Sequence, residues 1–227
     1  MKNIAKMLLG FVCLMAVAAV SAMGTLAWLT DRDVAVNTFT VGQVDITVDE
    51  AKVNADGTPV EGAERVQTNE YHLIPGCTYT KDPTLTVQAN SVDSHIRMIL
   101  TVHNASGVQS ILDRHQLGDF SALIGGWDQE VWLYHGFAVD DGADTISFEF
   151  RYHQTVGAEA ESVVLPALFD RLIVPGEITG EEIRELYEGG FKMEIFGHAI
   201  QSAGFESEDT AWESFDRQMN PLVFNQM

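Results

Sequence analysis

Seven histidines are the residues of this sequence whose type most readily does chemistry, and spacing decides what they can do. None belongs to a His-Glu-x-x-His pair, and no two stand four apart on an expected helix, the arrangement that puts two imidazoles on one zinc. His95 and His103 lie an even number of residues apart on one expected strand and could share a face, as could His135 and His153 on neighbouring strands. Asp140-Asp141-Gly142-Ala143-Asp144 has the look of a calcium-loop fragment but lacks the bidentate Glu at the twelfth position, and a solvated turn is the plainer reading. Asp31-x-Asp33 carries the same ambiguity. Serine and threonine are plentiful, yet no Gly-x-Ser-x-Gly elbow and no glycine-rich phosphate loop occurs. The residues therefore outline no active site, no cofactor is expected, and calcium and zinc are the metals left in play.

Chemistry performed on the chain is easier to see. Met1-Lys2-Asn3-Ile4-Ala5-Lys6 is a basic start, Met7 to Val20 is an apolar run, and small residues lead to Ala27. These are the three parts of an export signal, so residues 1–27 are expected to be a signal peptide and 28–227 the mature domain. Thr25 and Ala27 fit the small positions before a cut that leaves Trp28 first; Ala22, preceded by Val20, offers an alternative site. A retained anchor is the competing reading, because Ser21 to Leu29 extends the apolar run toward the roughly 20 residues of a span.

The formal net charge is −20, from 33 acidic and 13 basic residues, and loss of the leader removes two of those cations. Such a field repels nucleic acid and anionic membrane, so membrane contact is expected only transiently, through the leader. The 46 % hydrophobic content separates the chain from disordered acidic tails. Past the leader one cysteine remains, Cys77, so packing has to hold the fold without an internal disulfide. Cys77 reads as a small half-buried residue beside a turn, or else as a reactive thiol.

The elements that must position these residues are mostly strands. Period-2 alternation of β-branched and aromatic residues marks Asn37–Asp49, Thr78–Gln88, His95–His103, Glu130–Val139, Thr145–His153, Ser162–Val174 and Phe191–Ile200. Turn clusters separate them, among them Asn104-Ala105-Ser106-Gly107 and Pro175-Gly176. Thr179-Gly180-Glu181-Glu182 has capping-box spacing before a short helix closed by Gly189-Gly190, Asp209–Gln218 is a second helix, and Gln109–Leu123 a weaker third. The expected fold is mainly β, an antiparallel sandwich of jelly-roll type with two or three short peripheral helices.

Three stretches carry a family resemblance. Gly24-Thr25-Leu26-Ala27-Trp28-Leu29-Thr30-Asp31 followed by Asn37-Thr38-Phe39-Thr40-Val41-Gly42-Gln43-Val44-Asp45-Ile46 resembles leaders processed by the dedicated SipW-type signal peptidase. Leu73-Ile74-Pro75-Gly76-Cys77-Thr78-Tyr79-Thr80-Lys81-Asp82-Pro83 resembles the PG-x-x-x-x-KD segment of the TasA, CalY and camelysin proteins. Phe191–Ile200, Gln201-Ser202-Ala203-Gly204-Phe205 and Ala211-Trp212 are similar to the ending of clostridial-type members. The resemblance implies a SipW-type peptidase as partner and secretion to the biofilm matrix or cell surface of a Gram-positive-type bacterium. It further implies self-association into fibres by donation of an N-terminal strand. Phe39, Val41, Val44 and Ile46 alternate as such a strand would, after an Asp31-Arg32-Asp33 hinge. Camelysin-like relatives imply a metallo-endopeptidase instead, although no zinc motif is present here. A third reading is a carbohydrate-binding or adhesin sandwich that stacks sugars on Trp127, Trp132 and Tyr134, with core packing as the plainer account of those aromatics.

Overall fold

Alternating sequence becomes strand over most of the expected ranges, and the fold is mainly β with three peripheral helices among the described residues. The computed structural model describes residues 30–33 and 43–219. Its strands are β1 (Thr30–Asp33), β2 (Ile46–Asp49), β3 (Thr78–Thr80), β4 (Thr84–Val87), β5 (Ser91–His103), β6 (Ile124–Gly125), β7 (Trp132–Asp140), β8 (Thr145–Tyr152), β9 (Val156–Ala158), β10 (Val163–Val164), β11 (Arg171–Ile173) and β12 (Met193–Gln201). The helices are α1 (Ala105–His115), α2 (Gly180–Glu188) and α3 (Glu208–Met219), with a 3₁₀ turn at Phe120–Leu123.

All pairings are antiparallel. The large sheet runs β1-β12-β5-β8-β7, with β9 added beside the start of β5; two small sheets run β10-β4-β2 and β3-β11-β6. These are open sheets. One face of the large sheet, through Ile96, Met98, Leu100 and Val102 of β5, packs on Ile46, Leu85 and Val87 of one small sheet and on Tyr79 and Leu172 of the other. Burial of this apolar surface, at about 25 cal/mol per Å², is the main term holding the layers together in the absence of a disulfide.

Two expected strands are divided, and each division marks a change of sheet. Thr78–Gln88 breaks at Lys81-Asp82-Pro83, where the chain leaves the sheet of β3 for that of β4, because proline cannot donate to a ladder. Ser162–Val174 breaks between β10 and β11 as Leu165, Leu168 and Phe169 cross the core, each at most 4 % exposed. Thr30–Asp33, expected to include a hinge, is instead a strand paired with Gly197–Ile200 of β12.

The capping box at Thr179 is present as expected, with side chain and backbone of Thr179 and Glu182 satisfying each other. The third helix begins four residues earlier than expected, inside the segment read as a turn. Its first turn is capped from another hairpin: Asp144 Oδ1 accepts from Ser106 N at 2.8 Å and Oδ2 from Ser106 Oγ. A long-range cap of this kind leaves no mark in the local sequence. It also accounts for the Asp140 loop, where Asp140 Oδ1 accepts from Gly142 N and Ala143 N, making it a hydrogen-bonded turn.

Candidate functional site

The most distinctive concavity lies where the two layers part. At the C-terminal half of β12 they touch, because residue 197 is glycine: a Cβ there would sit 2.5 Å from Val48 Cγ2 and 2.9 Å from Leu85 Cδ1. Toward the start of β12 the layers diverge and leave a groove of about 640 Å³. Val48, Asp49 and Glu50 line one wall and the consecutive residues Phe191–Phe196 the other. Successive residues of a strand point to opposite faces, so a wall made of consecutive residues is a strand edge. β2 is the outer strand of its small sheet, and β1 covers β12 only from Gly197 to Ile200. Among the described residues, Met193–Phe196 therefore offers an open edge of backbone donors and acceptors.

Apolar side chains of Val48, Tyr71, Leu73, Met193 and Ile195 furnish the interior, and Asp49, Glu70, Lys192 and Glu194 the rim. Burial would raise the Glu194 carboxyl, but hydrogen bonds from Lys192 Nζ at 2.8 Å and with His103 Nε2 at 2.6 Å hold it below the usual carboxylate range. Desolvation, and then the nearby Glu50 charge, push the Tyr71 phenol up, so it stays a neutral donor, to Thr80 O at 3.1 Å.

The floor of the groove is polar and buried. Lys81 Nζ lies 2.6 Å from Glu50 Oε2, with Lys81 only 7 % and Glu50 5 % exposed. Glu50 Oε1 accepts from Asn69 Nδ2 at 3.0 Å. The neighbouring Asp82 accepts from Ala51 N at 2.7 Å and from Arg65 Nη1 at 2.9 Å. Lys81 and Asp82 of the PG-x-x-x-x-KD stretch thus grip the segment that follows β2. Cys77, in the same stretch, is half-buried against the core.

A second charged cluster lies on the opposite face of the large sheet, beneath α3. Arg97, 2 % exposed, is enclosed by the rings of Trp212 at 4.4 Å and Phe215 at 5.0 Å and is paired with Asp216 and Glu149. Its Nε donates to His198 Nδ1 at 3.1 Å. Arg151 joins Glu149 to Asp209. Ile200, Phe205, Ala211 and Trp212 of the C-terminal resemblance form a small core with Phe215 here, so that motif is the seat of α3.

Several sequence expectations fall elsewhere. Thr25, Ala27, Trp28, Phe39 and Val41 lie outside the described residues. Val44 and Ile46 are buried in the chain's own core, with Ile46 opposite Val87, so a strand given to a neighbour has to end before them. His95 and His103 do share a face of β5, but eight residues apart, beside Ile200 and Thr145 respectively. Trp132 is 0 % exposed and donates through Nε1 to Pro166 O at 2.9 Å, which removes it from any sugar-stacking platform. Among the described residues no three His, Cys, Asp or Glu side chains converge as a metal-ligand group, and no helix is long and apolar enough to cross a membrane.

Glu50, Asn69 and Lys81 were not legible as a group, because they come from three loops whose meeting only the tertiary fold sets; the one local signal was the KD pair. In comparison with known proteins, no family model, curated protein or solved structure matches the chain.

Proposed function

We propose that this is an exported surface or matrix protein of the TasA and camelysin type, whose subunits assemble into fibres by strand donation. In this reading an extended N-terminal segment of one copy enters the groove between β2 and β12 of the next. The observation that carries it is the groove itself: a trough with apolar walls and a polar floor, bounded by two strand edges, one of them open along Met193–Phe196 among the described residues. A strand laid there gains main-chain hydrogen bonds from the edge and buries alternate side chains against Val48 and Ile195. The donor has to precede Gln43, since Val44 and Ile46 belong to the chain's own core, which leaves the Phe39–Val41 stretch as the alternating segment.

The far edge of the large sheet is less suited to this role. β7 carries a bulge between Tyr134 and Gly136, a device that turns an edge away from pairing.

Ile195→Lys in the mature chain tests the reading. The wild type is expected to form fibres at raised concentration by light scattering and negative-stain microscopy, and the variant to stay monomeric with unchanged circular dichroism. Deletion of residues 34–40, which spares β1, should also keep the protein monomeric. A wild type that stays monomeric, or an Ile195→Lys protein that assembles like it, would count against strand donation.

A further inference from the structure

The geometry points to an intramolecular amide bond between Lys81 Nζ and Asn69 Cγ, formed by the chain itself with Glu50 as the proton carrier. It is independent of whether the groove accepts a strand.

The three groups meet around one carboxylate. Glu50 Oε2 takes Lys81 Nζ at 2.6 Å and Oε1 takes Asn69 Nδ2 at 3.0 Å, so amine and carboxamide share one carboxylate. The orientation of the Asn69 amide is set by its other partners: Nδ2 also donates to Ala51 O at 2.8 Å, and Oδ1 accepts from Val53 N at 3.0 Å. The Tyr71 ring lies 5.6 Å from Lys81 Nζ, and its hydroxyl is already engaged with Thr80 O. Amine and carboxylate are thus shielded from water by an aromatic wall and by the fold.

That setting supplies each requirement of the reaction. An ion pair buried this deeply loses much hydration, and transfer of one proton along the 2.6 Å contact yields a neutral amine and a neutral acid instead. The neutral amine is the nucleophile. Its lone pair attacks Asn69 Cγ, forming the Cγ–Nζ bond while the carbonyl electron pair moves to Oδ1, where the Val53 N–H is already aimed. Glu50 returns its proton to Nδ2, the Cγ–Nδ2 bond breaks, and the nitrogen leaves as ammonia. The surplus proton on Nζ passes through Glu50 to the ammonia, which departs as ammonium, and Glu50 is again a carboxylate. No oxidant or cofactor enters the balance.

The bond would close a ring over residues 69–81, holding the loop that bears Tyr71 and Leu73 against the end of β3. It would give the wall of the groove a covalent staple in a mature chain whose one cysteine, Cys77, cannot form an internal disulfide.

Peptide mass spectrometry of the folded, mature protein tests this. Trypsin should fail at Lys81 and release Val66–Arg97 as one peptide, lighter than its sequence by one ammonia, with no backbone fragments between Asn69 and Lys81. Separate Val66–Lys81 and Asp82–Arg97 peptides at full mass, from protein shown folded by circular dichroism, would overturn the proposal. So would an ammonia loss with cleavage at Lys81 intact, which is the mark of an asparagine succinimide. Lys81→Arg is expected to restore cleavage at position 81 and full mass. Glu50→Gln, which keeps the shape of the side chain, should leave the peptides unlinked; a cross-link that survives it would overturn the role given to Glu50. The wild-type peptide map decides even if a variant fails to fold.

Discussion

Glu182 shows how much one side chain can be asked to do. Its backbone N–H is capped by Thr179 Oγ1, its Oε2 accepts from Thr179 N at 2.8 Å, and Oε1 takes Arg114 Nη1 at 2.6 Å while His115 Nε2 lies 3.0 Å from both oxygens. It therefore closes the start of α2 and ties it to the end of α1. The backbone hydrogen bond at Thr179 is the largest cause, with His115 and Arg114 adding to it against a burial penalty, and together they draw the carboxyl down to about 2 from 4.5. A carboxyl depressed in the folded state stabilises fully above its unfolded value, and that contribution is lost as pH falls from about 4.5 toward 2. We expect about 2 kcal/mol from this group. Glu182→Gln should lower chemical-denaturation stability by about that amount at neutral pH. It should also flatten the loss of stability between pH 4.5 and 2. An acid limb identical to wild type would show that Glu182 does not carry it.

At the scale of elements, β12 is the shared strand. It pairs with β5 along its whole length, meets the small sheet at Gly197, carries α3 on its other face through His198 and Ile200, and lines the groove with its first half. Gly197 decides how far the layers part. A methyl at 197 meets the stiff Val48 side chain, which has little freedom to give way, so Gly197→Ala is expected to destabilise by about 1–3 kcal/mol through overpacking. The same change should widen the seam, read as faster amide exchange in β2 and in Met193–Phe196. A variant as stable as wild type, with unaltered exchange, would contradict this account of the contact. At the end of α2, Tyr187 lines the groove.

For the molecule as a whole, charge opposes association. A net charge of −20 is carried with few cations to neutralise it, and copies that assemble must bring these fields together. Raising ionic strength from about 0.01 M to about 0.1 M shortens the screening length from roughly 30 Å to about 10 Å. In the proposed strand-donation assembly, fibre formation is therefore expected to speed up over that range in time-resolved light scattering. Assembly that slows with salt would point to attraction between opposite charges as its driving force in place of strand addition.

The sequence by itself determined the strand-dominated class, the two capped or amphipathic C-terminal helices and the acidic surface, because these follow from side-chain period, local capping chemistry and charge, all of which are properties of near neighbours along the chain. Ile46 was legible as a strand residue for the same reason, whereas Val44 is buried just before β2 begins. What only the tertiary structure decided was which sheet each strand joined, and therefore what each strand residue meets. The same alternation that suits Ile46 to a donated strand suits it to its place opposite Val87, and period alone cannot separate the two. Core packing is the plainer reading of Trp132 in the sequence, and its full burial and the Nε1 hydrogen bond to Pro166 O bear that out. Lys81 is an ordinary cation in the sequence; 31 residues from Glu50 and 12 from Asn69, it becomes a buried amine on a shared carboxylate only because β2, β3 and the intervening loop end at one point. Convergence of that kind is set by the packing of whole layers, which no local pattern encodes.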